Sequence, residues 1–116
     1  MLIEVQEFFE YLRKGEFWIP ICISCKKNVW PPFGHCSVCL SKTKLRKTKG
    51  KGILIEWTTS HLENVPNKFG IVDMSGIKVL GSISGEPIIR GMHVKMTKCG
   101  ISDNGIPYYH FEPTEY

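Results

Sequence analysis

Four of the five cysteines form two Cys-x-x-Cys pairs within residues 21–40, at Cys22 and Cys25 and at Cys36 and Cys39. Each pair can present two thiolates from one tight turn, and two such turns facing each other complete a tetrahedron around zinc. Disulfides and catalytic thiols are the alternatives for such a cluster. Because four thiolates would fill the coordination sphere, the spacing predicts a structural zinc site, with iron as the other metal that suits this geometry.

The rest of the chain favours metal over disulfides. An odd cysteine count fits poorly with a closed disulfide framework. No stretch resembles a cleaved signal segment, and no apolar run approaches the roughly 20 residues needed to span a bilayer. We therefore expect a cytoplasmic protein with reduced thiols. His35 is expected to lie at the surface or beside the metal ligands without binding the metal, because the four cysteines already close the site.

The segment between the cysteine pairs, KKNVWPPFGH, predicts a ribbon and not a helical finger, because two adjacent prolines forbid helix. So small a module buries little apolar surface alone, and metal binding would supply much of its folding energy. Trp30 and Phe33 are expected to pack over the metal or against a neighbour. An exposed aromatic recognition surface is the alternative.

Upstream of the ribbon, LIEVQEFFEYLRKG predicts one amphipathic helix that is capped at Gly15. Its apolar face is large for so short a helix. That face could pack on the chain's own core or on another protein, and periodicity does not separate these outcomes. The apolar positions are Leu2, Ile3, Val5, Phe8, Phe9 and Leu12.

Downstream of Gly50 the pattern becomes that of short strands separated by turns. Alternation in MHVKMTK predicts that Met92, Val94 and Met96 face inward, while His93, Lys95 and Thr97 face outward. Five such runs predict a small barrel, of which the OB-fold is one form, with a β-sandwich as the rival. The runs are ILIEWTTS, FGIVDM, IKVLGSIS, HVKMTK and PYYHF.

Taken together, these segments predict a mainly β protein with an N-terminal helix, a zinc ribbon and a five-stranded OB-fold-like barrel. We place the helix in residues 1–17, the ribbon in residues 18–49 and the barrel in residues 50–116. A length of 116 residues allows one small core with a satellite unit, but not two full domains.

Charge is concentrated in the ribbon and its exit. Residues 21–51 hold eight bases and no acid, whereas residues 52–116 hold seven acids and five bases. Such a density attracts phosphates, which could belong to nucleic acid or to a cofactor such as coenzyme A; a solvated strand edge is the alternative. The candidate phosphate-binding bases are Lys42, Lys44, Arg46, Lys47, Lys49 and Lys51.

Candidate catalytic groups are few. Cys99 is the only thiol outside the ribbon, and its sequence context offers neither a helix N-terminus nor an adjacent base to lower its pKa. We expect it to be a small buried side chain. His61, His93 and His110 are scattered and single, and no nucleophile elbow or phosphate-binding loop is present. The sequence therefore predicts a protein that is not an enzyme.

The order and spacing of five segments resemble a known family. These segments are FFEYLRKGEF, CISCKKNVWPPFGHCSVC, GKGILIEWTTS, IRGMHVKMT and YYHFEP. They are similar to prokaryotic acyl-CoA-associated proteins, long described as a domain of unknown function, that join an N-terminal helix, a rubredoxin-like zinc ribbon and an OB-fold. The resemblance covers nearly the whole chain. The loops after Ser60 and Gly100 look short beside those of the family.

The resemblance implies a non-catalytic partner of a thiolase-fold enzyme, such as a thiolase, a hydroxymethylglutaryl-CoA synthase or a related aldolase. Such partners scaffold the enzyme or help to hold acyl-CoA, and in archaea one looks like the bridge between the first two enzymes of the mevalonate route. By this analogy the four ribbon cysteines carry metal. The implied partner contacts are Phe8, Phe9, Tyr11, Leu12, Trp18 and Trp30.

A single-stranded nucleic-acid-binding module is the alternative function. Zinc ribbons and OB-folds are frequent in such proteins, and the isoelectric point is about 8.8. Against it, residues 52–116 carry a net charge of minus two, whereas a barrel that tracks a phosphate backbone needs a basic face. The aromatic residues that could stack on bases are Trp57, Phe69, Tyr108 and Tyr109.

Overall fold

The computed structural model describes residues 3–60 and 67–115. The predicted loop after Ser60, with His61, and the first predicted helix position, Leu2, lie outside the described residues. One helix and seven strands are present in the part described. They are α1 (Ile3–Arg13), β1 (Trp18–Cys22), β2 (Thr43–Lys47), β3 (Lys51–Ser60), β4 (Asn67–Met74), β5 (Ile77–Ile83), β6 (His93–Ile101) and β7 (Pro107–Pro113).

The N-terminal helix ends as its sequence predicts. Gly15 has a φ of 82°, which a residue with a side chain rarely adopts. Its N–H donates to the carbonyl of Leu12 over 2.9 Å, and the N–H of Glu16 donates to the carbonyl of Tyr11 over 3.0 Å. These two bonds form a Schellman cap and satisfy carbonyls at the end of α1.

Across residues 3–60 and 67–115, helices of the length and apolarity needed to cross a bilayer are lacking.

Five strands close into a barrel in the order β3-β4-β5-β7-β6, and β6 pairs back with β3. All neighbouring pairs are antiparallel except β5 and β7, which run parallel. The closed barrel confirms the predicted mainly β, OB-fold-like architecture, and it excludes the β-sandwich. Closure also leaves this sheet without an unpaired edge strand.

Strand β6 confirms the predicted alternation only in its first half. Val94 is buried, while His93 and Lys95 are exposed. The pairing with β7 then shifts by one residue between Met96 and Lys98, as in a β-bulge. Because of this extra residue, Lys98 faces outward and Cys99 faces inward, the reverse of what continued alternation would give.

The ribbon contains a two-stranded antiparallel sheet that the sequence analysis did not predict. Strand β1 pairs with β2 from Trp18 opposite Lys47 to Cys22 opposite Thr43. The hydroxyl of Thr43, a buried polar residue, donates to the carbonyl of Phe33 over 2.9 Å. Strand β2 follows closely after the second cysteine pair. Its pairing with β1 fixes where the basic residues of β2 lie.

One hydrophobic core joins the helix, the first ribbon strand and the barrel. Phe8 and Leu12 of α1 belong to the same buried cluster as Ile19 of β1. Helix α1 contacts β6 as well as both ribbon strands. The barrel side chains in this cluster are Leu54, Val72, Met74, Ile77, Val79, Ile83, Val94, Cys99 and Phe111.

An aromatic cluster links the three parts of the chain. It consists of Phe8 in α1, Phe17 before β1, Trp30 between the cysteine pairs and Tyr109 in β7. Trp30 meets the other three rings edge to face, with centroid distances of 5.7–6.0 Å. Phe17 also contacts Phe8 at 6.3 Å and Tyr109 at 5.4 Å. Trp30 therefore packs against the core, as expected, whereas Phe33 is 56% exposed.

The core positions correct two of the predicted partner contacts. Phe8 is 1% exposed and Leu12 is fully buried, so neither offers surface to another protein. At these two positions the helix is covered by the chain's own core. Phe9, Tyr11, Trp18 and Trp30 remain partly exposed.

The burial of the aromatic cluster can be tested by paired substitutions. We expect Phe8→Ala to lower the free energy of unfolding by about 3–5 kcal/mol, because it removes a ring from a packed core. Phe33→Ala removes the same atoms from an exposed position and should change that free energy by no more than about 0.5 kcal/mol. Urea unfolding of the metal-loaded variants measures both. Equal losses would contradict the assigned packing.

Candidate metal centre

The four ribbon cysteines come together as a compact cluster. Their sulfur atoms all lie within 4.8 Å of one another. The Sγ atoms are 3.3 Å apart for Cys22 and Cys39, 3.7 Å for Cys25 and Cys36, and 3.9 Å for Cys25 and Cys39. A tetrahedron with Zn–S bonds of about 2.3 Å has edges of about 3.8 Å, and a disulfide needs about 2.05 Å. The cluster therefore fits a metal such as zinc, and its cysteines are free thiols.

The two cysteine pairs sit on turns with the same hydrogen bonds. In the first turn Cys22 accepts at its carbonyl from the N–H of Lys26, and its own N–H donates to Lys27. In the second turn Cys36 makes the equivalent bonds to Leu40 and Ser41. Lys26 and Leu40 both have φ near 64°, in the left-handed region. The chain accepts backbone strain at both positions to fold each cysteine pair into one turn.

Backbone N–H groups point at the buried sulfurs. The N–H groups of Ser24 and Cys25 lie 3.4 and 3.3 Å from Sγ of Cys22, and the N–H of Val38 lies 3.4 Å from Sγ of Cys36. Such donors stabilise negative charge on sulfur. They suit thiolates that bind a cation.

The thiols in the cluster differ in how easily they ionise. The Ser41 hydroxyl and N–H, followed by Cys22, lower the pKa of Cys39 to about 6. The N–H of Lys27 lowers the pKa of Cys25, but hydrogen bonds with the other three thiols and desolvation outweigh it and raise the pKa to about 11. Because metal ligands must be deprotonated, binding a metal here releases protons.

The surroundings indicate a structural site. Cys22 and Cys36 are buried, while Cys25 and Cys39 are exposed at the tips of their turns. Four sulfur ligands leave no position for water or substrate. The ring of His35 lies 6.2 Å from that of Phe33, and His35 is not part of the four-residue cluster.

Asn28 fastens the ribbon to the barrel. Its side-chain N–H donates to the carbonyl of Ser75, in the turn between β4 and β5, over 2.7 Å. Its side-chain oxygen accepts from the guanidinium of Arg46 in β2 over 3.1 Å. One side chain near the first cysteine pair is thus bonded to both the barrel and the second ribbon strand.

The predicted phosphate-binding bases differ in their surroundings. Arg46 bonds to Asn28, and Lys47 lies 3.8 Å from the carboxylate of Glu16. Lys51 of β3 lies directly opposite Lys95 of β6 in the strand pairing of the barrel. Lys47 and Lys49 line a cavity together with Lys98, which the sequence analysis missed. No local signal reveals this grouping, because it depends on how the barrel closes.

The side chains considered for catalysis are placed differently from one another. Cys99 is buried in the core as predicted, and burial, followed by the charge of Glu16, raises its pKa. His110 was predicted to be an isolated histidine, but two serine hydroxyls lie within hydrogen-bond distance of its ring. Its Nδ1 lies 2.6 Å from the hydroxyl of Ser82, and its Nε2 lies 2.9 Å from that of Ser84. Among hydrogen bonds of the described residues, none joins His110 to a carboxylate.

Metal content provides a direct test of the cluster. We expect the purified chain to contain one zinc or iron ion, and Cys22→Ala to lose it during exposure to a chelator, because three thiolates hold a metal less tightly. Cys99→Ala replaces another buried cysteine and should keep the full metal content. Elemental analysis after dialysis distinguishes the two variants. A metal-free wild-type protein would contradict the assignment.

The backbone strain at Leu40 gives a second test. Leu40→Gly relieves a left-handed conformation that costs roughly 1–2 kcal/mol, although glycine also stabilises the unfolded chain by about 0.5–1 kcal/mol. Val38→Gly at a neighbouring exposed position without positive φ has only the unfavourable part. We expect Leu40→Gly to be the more stable variant by about 1 kcal/mol in denaturant unfolding. The opposite order would show that Leu40 is not strained.

The comparisons with known proteins show similarity in structure. No family model matches the chain, and no curated protein matches it. The Ltp2-ChsH2(DUF35) aldolase matches over 97% of this chain and 96% of that chain, with 20% identity and a TM-score of 0.78. A DUF35 protein of unknown function from Sulfolobus solfataricus matches over 94% and 84%, with 15% identity and a TM-score of 0.69. The chain thus has the fold of DUF35 proteins over nearly its whole length, as the resemblance of its sequence implied.

Proposed function

We propose that this chain is a non-catalytic accessory protein that binds a thiolase-fold enzyme and helps it to hold acyl-CoA. The observation that carries the proposal is the similarity in fold to the Ltp2-ChsH2(DUF35) aldolase, which extends over 97% of the chain. In that protein a DUF35 component is described together with Ltp2 as one aldolase. A partner of the thiolase, hydroxymethylglutaryl-CoA synthase or related aldolase type is the corresponding role here.

The chemistry of the described side chains supports an accessory role. The four clustered thiols fit a closed metal site that offers nothing to a substrate. We propose zinc as the metal. The remaining thiol, Cys99, is buried, and its raised pKa disfavours the thiolate needed for nucleophilic attack. The partner would supply the reacting groups, and this chain would supply docking surface and cations.

The ribbon turns offer the docking surface that we favour. Four apolar side chains on and beside the cysteine turns are 47–74% exposed, and the ribbon and its exit carry eight bases and no acid. Exposed apolar groups surrounded by one sign of charge suit a partner with an apolar patch and an acidic rim. These side chains are Ile23, Phe33, Val38 and Leu40.

A second contact is proposed at the end of α1. Tyr11 and Trp18 stack with ring centroids 4.4 Å apart and remain partly exposed. Trp18 also donates from its indole N–H to Glu16 over 3.2 Å, which holds the ring in place. A rigid aromatic pair loses little conformational entropy when a partner covers it.

The nucleic-acid alternative receives less support from the barrel. Trp57 and Tyr109 pack against the core, so they are poorly placed to stack on bases. The outer face of β4 and β5 carries exposed Ile71 and Leu80, which pair directly across the two strands. A surface that tracks phosphates needs a row of bases there.

Purification from the native organism tests the proposed function. We expect the tagged full-length chain to isolate a thiolase-fold enzyme in stoichiometric amount, identified by mass spectrometry, and the two purified proteins to reassemble. Repeated isolation without any thiolase-fold enzyme would contradict the proposal. Binding of single-stranded oligonucleotides that weakens steeply with salt would favour the alternative.

Paired variants test the docking surface in the reassembled complex. Val38→Asp with Leu40→Asp should raise the Kd for the partner at least tenfold, because two exposed apolar contacts become acidic. Ile89→Asp with Ile106→Asp makes the same change at exposed barrel loops and should alter Kd less than twofold. Metal analysis confirms that both variants retain the ribbon. Equal effects would remove the ribbon from the interface.

A further inference from the structure

A cavity of about 210 Å³ lies where the helix, the ribbon and the barrel meet. Three segments form its wall: residues 15–17 between α1 and β1, residues 47–50 from the end of β2 toward β3, and residues 96–99 in β6. These segments come from all three parts of the chain. The cavity therefore exists only in the assembled fold, and no single motif specifies it.

The wall of this cavity is positively charged. Lys47, Lys49 and Lys98 line it, and Glu16 is the one acid among the lining residues. Glu16 is already engaged, because it lies 3.8 Å from Lys47 and accepts from the indole of Trp18. Among the acids whose side chains the structure describes, none forms an ion pair with Lys49 or Lys98. The wall thus keeps an excess of two positive charges.

Local structure explains why these lysines converge. The β-bulge in β6 turns Lys98 outward, and the N–H of Met96 donates to the carbonyl of Gly50 over 2.7 Å, which holds β6 against the connection from β2. The backbone N–H of Thr48 donates to the carbonyl of Phe17, and the backbone N–H of Gly50 donates to the hydroxyl of Thr48. A ligand would therefore be recognised by ammonium and hydroxyl groups, not by a backbone anion nest.

We propose that this cavity binds the phosphate groups of a small phosphorylated ligand, with Lys49 and Lys98 as the principal cations. Its volume suits a phosphate or a diphosphate, and the concave wall concentrates the field of the lysines. The proposed site contains two of the six bases of the basic run, Lys47 and Lys49, and adds Lys98 from β6. The inference rests on the proposed function only for the source of the phosphates, which would be coenzyme A; a free nucleotide is the other source.

Inorganic pyrophosphate is the probe for the site. Titrated into the isolated, metal-loaded full chain at low salt, it should bind with one-to-one stoichiometry. Lys49→Gln with Lys98→Gln should raise its Kd at least tenfold. Lys42→Gln with Lys44→Gln removes the same charge from bases that do not line the cavity and should raise Kd less than threefold. Glu16→Gln should lower Kd, because it removes the acid from the wall while keeping an acceptor for Trp18.

Either of two results of the pyrophosphate titrations would overturn the inference: failure of the wild-type chain to bind pyrophosphate, or equal losses in the two lysine pairs, which would indicate a diffuse field. Comparison of coenzyme A, adenosine diphosphate and pantetheine then identifies the source. Coenzyme A binding at least tenfold tighter than the diphosphate supports the cofactor, and equal binding supports a free nucleotide. Pantetheine binding as well as coenzyme A would also overturn the phosphate assignment. None of these titrations needs the partner enzyme, so their failure is distinguishable from failure of the proposed function.

Discussion

The packing of Trp30 against Phe8, Phe17 and Tyr109 is the contact on which the arrangement of this protein depends. A ribbon of some thirty residues buries too little apolar surface to hold a fixed position alone. By placing one indole among rings from the helix, the connection before the first ribbon strand and the last barrel strand, the chain converts three segments into one core. Burial of Tyr109 at this junction raises the pKa of its hydroxyl, and the charge of Cys99 raises this pKa further. The hydroxyl therefore stays neutral, and the aromatic cluster carries no charge.

The cysteine cluster solves the same problem from the other side of the loop that carries Trp30. Two turns with equivalent hydrogen bonds bring their sulfurs to tetrahedral spacing, and each turn tolerates a left-handed residue to do so. The loop is therefore fixed at both ends by the cysteine cluster and in its middle by the aromatic cluster. This economy explains how a short, strongly basic segment with almost no core of its own can still present defined side chains at its surface.

Features set by local sequence were predictable, and features set by closure of the fold were not. Cysteine spacing predicted the cluster, Gly15 the end of the helix, and alternation the inward side of β6 as far as Met96. The bulge after Met96, which places Lys98 beside the ribbon bases, leaves no mark in the hydrophobic pattern. The helical periodicity predicted an apolar face but not what covers it. Phe8 and Leu12 were therefore wrongly predicted to contact a partner. His110 looked isolated because Ser82 and Ser84 reach it across a parallel strand pair, nearly thirty residues away in sequence.

The side-chain hydrogen bonds of Asn28 restrict how the ribbon can move relative to the barrel. Its amide is bonded to the β4–β5 turn on one side and to Arg46 on the other, beside the aromatic cluster. Rotation of the ribbon about the barrel would have to break the bond from Asn28 to Ser75 and separate the edge-to-face rings of the aromatic cluster at once. A molecule bound at the ribbon turns would therefore keep a fixed orientation relative to the barrel.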